Sequence, residues 1–213
     1  MVTNAGIAAK VAEFLLQIKA VKLQPQQPFT WASGWKSPIY CDNRKTLSYP
    51  KVRTYIRQQF VQVINQNFPK PDVIAGVATG AIAAGVLVAE EMGLPFIYIR
   101  PEPKKHGLGN MIEGEIKAGQ SVVVIEDLIS TGGSSLKAVE AVREAGCEVK
   151  GMAAIFTYGF ENAAENFRKS DVHLVTLSDY PSLIRQALKD EYVTEADLEA
   201  LEAWRKDPAN WGN

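Results

Sequence analysis

With 213 residues, 46% of them hydrophobic, the chain is long enough to bury a full core and has the size of one domain with at most a small appendage. Its 23 basic residues face 24 acidic ones, a net charge of -1, so no global field draws it to nucleic acid or anionic lipid, and any phosphate site must be local. The two cysteines, Cys41 and Cys147, lie far apart without a CxxC spacing; they supply no disulfide or zinc framework and fit a reducing cytosol.

The N-terminal segment carries Lys10 and Glu13 within its apolar pattern and has no basic region ahead of an apolar core, so it does not read as a secretion signal. No stretch reaches membrane-spanning length. Ile7, Val11, Phe14, Leu15 and Ile18 fall at helical spacing over 5–19, and Val52, Tyr55, Ile56, Phe60 and Ile64 do so over 50–66. Between them, 28–43 is rich in aromatics and turn formers and predicts two short strands folded back around Ser33-Gly34. From Asp72 onward apolar runs over 73–77, 95–99, 121–125, 149–156 and 172–177 alternate with helical patterns, notably over 81–92 and 134–145. Strands that are apolar without alternation have no solvent face, so the expected core is α/β, a central, mostly parallel sheet flanked by helices. After Tyr180 the chain turns helical again and ends in a polar tail with Trp204 and Trp211, expected to fray in part.

The most informative segment is Val122-Val123-Val124-Ile125-Glu126-Asp127, followed by Leu128-Ile129-Ser130-Thr131-Gly132-Gly133-Ser134-Ser135. An apolar strand ends in two carboxylates, and in a parallel sheet the carboxyl ends of strands line the ligand crevice. Two acceptor-only groups there can hold a sugar diol or bias a Mg-bound substrate. Ser130, Thr131, Gly132, Gly133 and Ser134 then offer hydroxyls and free amides at a helix start, a nest for a phosphate monoester. The bland alternative is an ordinary strand-to-helix turn with a Ser or Thr N-cap, which explains the cap but not the adjacent acids.

Two further segments handle charge in the same way. Gly76-Val77-Ala78-Thr79-Gly80 follows an apolar strand and precedes a helix, a second phosphate pocket or a simple packing turn. Arg100-Pro101-Glu102-Pro103-Lys104-Lys105-His106-Gly107 is too polar and too rich in breakers for a regular element. It is a solvated surface loop or one that closes over a polyanion, stabilising a charged leaving group. His173, in an apolar run, reads as structural.

These segments together resemble the type I phosphoribosyltransferases, whose signature is an apolar strand, two acidic residues and a Thr/Ser-Gly loop. Phe29-Thr30-Trp31-Ala32-Ser33-Gly34-Trp35-Lys36-Ser37-Pro38-Ile39-Tyr40 and Arg100 to Gly107 are similar to the hood and loop of that family's orotate branch. The resemblance covers about residues 25–160. It implies the type I fold with a small N-terminal hood, divided as 1–45 (helix and hood), 50–180 (α/β core) and 181–213 (helical tail). It also implies orotate and phosphoribosyl pyrophosphate as substrates, Mg2+ held mainly through the pyrophosphate, and a cytoplasmic homodimer whose loop 100–110 reaches the neighbouring site.

By the same resemblance Glu126 and Asp127 bind the ribose hydroxyls, and Ser130 to Ser134 cradle the 5-phosphate. Thr79, Gly80, Arg100, Lys104, Lys105 and His106 meet the pyrophosphate, and Lys36, Tyr40, Cys41 and Ser130 meet the base. The catalytic set would be Lys104, His106 and Asp127. Ala32, Thr79, Pro101 and Gly159 stand where many members have other residues, and Lys36 and Arg44 are the candidates for gripping the orotate carboxylate. Two other functions stay open: a purine or xanthine phosphoribosyltransferase, and a regulator that senses phosphoribosyl pyrophosphate without turnover. The chain's length leaves no room for a fused decarboxylase.

Overall fold

The structure, a computed structural model, describes residues 2, 4–31, 33–102 and 111–212. In chain order the elements are α1 (Ala5–Gln17), β1 (Val21–Leu23), β2 (Phe29–Thr30), β3 (Lys36–Ser37), β4 (Ile39–Cys41), a 3-10 helix (Asn43–Ser48), α2 (Pro50–Asn67), β5 (Val73–Val77), α3 (Ile82–Met92), β6 (Phe96–Ile99), β7 (Ile112–Glu113), β8 (Ser121–Ile129), α4 (Gly133–Glu144), β9 (Glu148–Thr157), α5 (Glu161–Lys169), β10 (Leu174–Asp179), α6 (Tyr180–Lys189) and α7 (Glu195–Lys206).

Six strands form the central sheet in the order β10-β9-β8-β5-β6-β7, parallel throughout except for the short β7, which runs antiparallel to β6. β5 is buried along its whole length and β8 over its first six residues, as strands covered on both faces must be. The helices begin and end where local chemistry dictates. Asn4 caps α1 by accepting from the amides of Gly6 and Ile7 at 2.8 and 3.0 Å. Pro50 opens α2, where a missing amide costs nothing. Gly93, at φ +65°, closes α3. α1 buries Ile7, Val11 and Leu15 against α6 and β10, so it packs on the far edge of the core and not beneath the hairpin that follows it in sequence.

Three outcomes differ from the sequence expectations. First, β8 runs to Ile129 instead of stopping at 125, because the long β9 keeps pairing with it: Glu126 lies opposite Ala154, Leu128 opposite Phe156 and Ile129 opposite Thr157. Its two carboxylates hid the strand pattern. Second, the 28–43 segment does form the expected hairpin, β2 with β3, but β4 turns away and pairs with β1. Third, the C-terminal tail is not frayed at Trp204, whose side chain is 0% exposed and touches Trp31, Tyr158, Phe160 and Tyr180. A large aromatic surface with so many ring partners outweighs the entropy of ordering the helix that carries it.

Candidate active site

β5 leads through α3 to β6 on one side, while β8 leads through α4 to β9 on the other. The sheet therefore changes direction between β5 and β8, and in open α/β sheets the crevice outside the carboxyl ends at that point is where ligands bind. The β5–β8 ladder ends at Gly76 opposite Ile125, so Glu126 and Asp127 project past the end of β5.

Adjacent residues of a strand face opposite sides. Glu126 is 5% exposed: its Oε2 takes the Ser135 hydroxyl of α4 at 2.8 Å and its Oε1 takes the Asp127 amide at 2.9 Å. Burial, and after it the neighbouring Asp127 charge, pushes its carboxyl from 4.5 up to about 8. Asp127 is only partly buried and lies directly against the turn after β5. A methyl group on Gly80 would fall 2.3 Å from Asp127 Oδ2, so a side chain there would displace the Asp127 carboxylate from where it lies against the turn. Thr79 is exposed in the same turn, and the Ala78–Thr79 peptide is cis.

The Ser130–Ser134 segment enters α4 through Gly132, the N-cap, at φ +84°. No side chain caps this helix, so the bland alternative of a Ser or Thr N-cap does not hold, and its first amides are left open to a ligand. Thr131 is held by its carbonyl, which accepts from Asn166 Nδ2 at 3.2 Å. Gly133 and Ser134 are exposed, and Ser130 and Thr131 half-buried.

Of the residues expected at the base, Lys36 is exposed and donates to Thr30 Oγ1 at 2.8 Å across the hairpin. Tyr40 is 41% exposed with its ring 5.7 Å from Phe29, and Cys41 pairs through its backbone with Val21. Arg44 forms an exposed ion pair with Asp42 at 2.7 Å. The Cys41 thiol is raised above its usual range by burial and by the carboxylates of Asp127 and Asp42, and Asn43, bonded to both Cys41 and the Asp127 carbonyl, links β4 to the acidic pair.

Arg100 stands at the foot of the basic loop. Its amide donates to Met111 O at 2.8 Å and its guanidinium reaches Glu113 at 3.4 Å, so both ends of the loop are pinned together on β6 and β7. Lys104, Lys105 and His106 lie outside the described residues, as does Ala32. A cavity of about 650 Å³ lies elsewhere, between α6 and α7, lined by Tyr180, Ile184, Leu188, Leu198, Leu201 and Arg205. Neither the acidic pair nor either small-residue turn lines it, and position at the switch point, not volume, identifies the site.

The phosphoribosyl transferase domain matches residues 47–183. An orotate phosphoribosyltransferase from Phocaeicola vulgatus is 62% identical over 200 residues, 94% of this chain and 94% of that one. The chain belongs to the orotate phosphoribosyltransferase family. The same fold recurs in the crystal structure of orotate phosphoribosyltransferase from Aeropyrum pernix, with a TM-score of 0.74 and 28% identity over 86% of this chain and 99% of that one. It also recurs in UMP synthase from Leishmania donovani, with a TM-score of 0.78 and 28% identity over 94% of this chain but 42% of that longer one. The family's type I fold, with its mostly parallel sheet and flanking helices, is thus the fold of this chain.

Several residues around the site carry no signal in the sequence. Ser135 closes the small-residue segment without any sign of its partner, yet its hydroxyl donates to Glu126. Lys137 of α4 donates to Pro101 O at 3.0 Å and ties the foot of the basic loop to the helix of the phosphate turn. Tyr158, next to Gly159, is 2% exposed and stacks near Trp31 of the hood at 5.2 Å. Asn43 donates to the main chain of Asp127. Lys137, Tyr158 and Asn43 each find a partner tens of residues away, which periodicity does not reveal.

Proposed function

We propose that the chain transfers the ribose 5-phosphate unit of phosphoribosyl pyrophosphate to a ring nitrogen of orotate, giving orotidine 5'-monophosphate and pyrophosphate. The observation that carries this reading is the meeting of two phosphate-type turns at one acidic strand: Gly80 lies against Asp127, and only Ser130, Thr131 and Gly132 separate Ile129, the end of β8, from α4, which has no side-chain cap. A substrate with phosphate at both ends of a ribose fits that spacing of features. The C1–oxygen bond breaks with its electron pair leaving on pyrophosphate, the orotate nitrogen forms the new bond to C1, and that nitrogen's proton is released. No covalent nucleophile is needed.

In this reading Asp127 and Glu126 hold the ribose hydroxyls, Ser130, Thr131, Gly132, Gly133 and Ser134 the 5-phosphate, and Thr79, Gly80 and Arg100 the pyrophosphate. Lys104, Lys105 and His106 close over the leaving group. Lys36, Tyr40, Cys41 and Ser130 contact the base. Mg2+ would be held mainly through phosphoribosyl pyrophosphate, whose phosphate oxygens suit this ion, with the partly exposed Asp127 carboxylate nearby to bias the complex. It would neutralise the charge building on the pyrophosphate. The basic loop springs from β6 and the edge strand β7, a position that supports its reaching a second subunit of a homodimer. Two free cysteines and the absence of any described helix long and apolar enough to cross a membrane are consistent with work in the cytoplasm, in the synthesis of UMP.

The test is pyrophosphate release from labelled phosphoribosyl pyrophosphate with a panel of bases. Orotate is expected to be the one good acceptor. Turnover with a purine instead would replace the acceptor, and tight binding without release on any base would favour a sensor.

A further inference from the structure

Asn43 lies in none of the phosphate turns, yet its side chain is 2% exposed and fully engaged. Nδ2 donates to the Asp127 carbonyl at 2.6 Å, and Oδ1 accepts from the Cys41 thiol at 3.3 Å. Both neighbours demand the same orientation of the amide, since a carbonyl accepts only and a thiol donates; a flipped amide would set oxygen against oxygen at Asp127. The main chain of Asn43 is fixed as well, its carbonyl accepting from Thr46 Oγ1 at 2.6 Å in the 3-10 helix. At the other end, Asp127 lies beyond the last β5–β8 pair, Gly76 with Ile125, where β8 keeps β9 as its ladder partner and has lost β5. A tie from the hood reaches the strand at the residue whose carboxylate enters the crevice.

We propose that Asn43 is a positioning residue for the transfer reaction: it fixes the main chain of Asp127, and with it the direction of the Asp127 carboxylate, while the Cys41 thiol orients its amide. The inference rests on the reading above, in which Asp127 contacts the ribose. Hood and acidic strand then act as one unit, so that disturbance at Cys41 is felt at the sugar.

Asn43→Asp preserves the shape and replaces the donor by a carboxylate facing the Asp127 carbonyl. Charged and titratable groups near it are Cys41, Asp42 and Arg44 from its own segment, Asp127 from β8, and Tyr158 just after β9. Calorimetry of Mg-phosphoribosyl pyrophosphate binding without base is expected to show affinity about tenfold weaker than wild type near pH 8, the cost of a lost buried donor. The deficit should shrink toward about pH 6, as the new carboxyl takes up a proton and donates again. Affinity within about twofold of wild type, or a deficit that does not move with pH, overturns the proposal, because lost packing alone has no pH dependence.

Should Asn43→Asp fail to fold, Cys41→Ala against Cys41→Ser decides. The alanine variant should bind about threefold more weakly and serine should recover most of the loss, because a hydroxyl donates to Oδ1 as the thiol does. Equal affinities for the two overturn the proposal. Orotate-dependent pyrophosphate release by the wild type reports separately on the reaction itself. A chain that binds phosphoribosyl pyrophosphate but refuses orotate would correct the acceptor and leave the positioning test standing.

Discussion

Glu126 and Asp127 are neighbours in sequence with different environments, and the difference has a measurable consequence. The Glu126 carboxyl is raised from 4.5 to about 8 by burial and then by Asp127. Below the unfolded value both states hold the proton. Between the two values the native state keeps it and the unfolded state releases it, so stability falls as pH rises through this window and levels off above the folded value. Glu126→Gln imitates the protonated acid and keeps one acceptor for the Asp127 amide, while its NH2 can donate to the Ser135 hydroxyl. Thermal unfolding across the window should show the wild type losing stability relative to the glutamine variant as pH rises. Parallel curves would mean that Glu126 is ionised in the folded protein at neutral pH. That two acids stand near the end of an apolar run is plain from the sequence; which of them is buried was not, because that depends on α4 lying over one face and the β5 turn over the other.

At the scale of the element, the phosphate turn depends on Gly132 for two separate reasons. Its φ of +84° disfavours any side chain, and an added methyl would fall 2.8 Å from Phe167 Cε2 of α5. Gly132→Ala is expected to cost about 1–3 kcal/mol of stability, from the backbone penalty and from displacing a packed ring. Gly133→Ala, whose methyl would meet nothing within 4 Å at an ordinary φ, should leave the denaturation midpoint close to wild type. Equal losses at the two positions in urea titrations would remove the conformational argument. The sequence marks this turn through its small residues, but the helix start shifts from the expected 134 to Gly133, and the cap is glycine, not the Ser or Thr of the bland alternative. Phe167, 35 positions later, is invisible to any local pattern.

For the molecule as a whole, the hood, the end of β9 and the C-terminal helices share one aromatic cluster around Trp204. Trp31 touches Trp204 and Tyr158 at 5.6 and 5.2 Å between ring centres, and the Tyr180 hydroxyl donates to Leu201 O at 3.0 Å. Trp204→Ala should cost about 3–5 kcal/mol, as removal of a buried indole does. It should also weaken substrate binding by loosening the hood through Trp31. Trp204→Phe should be milder, because the Trp204 Nε1 is buried without a partner and phenylalanine removes that donor. Denaturant unfolding followed beside substrate titration separates the effects; a Trp204→Ala chain of wild-type stability would show that the tail is peripheral after all.

By itself the sequence determined the α/β class, the order of the principal elements, the two small-residue turns that follow β5 and β8, and the family likeness. Those are local properties: apolar runs, helical spacing and small residues beside charges impose them on the chain within a dozen positions. Only the tertiary structure decided that Glu126 is buried and Asp127 open, that Gly80 makes room for Asp127, that Asn43 ties the hood to the acidic strand, and that Trp204 belongs to the core. Each of these joins segments tens of residues apart or more, and their meeting is set by how the sheet switches direction between β5 and β8 and by what the helices then cover.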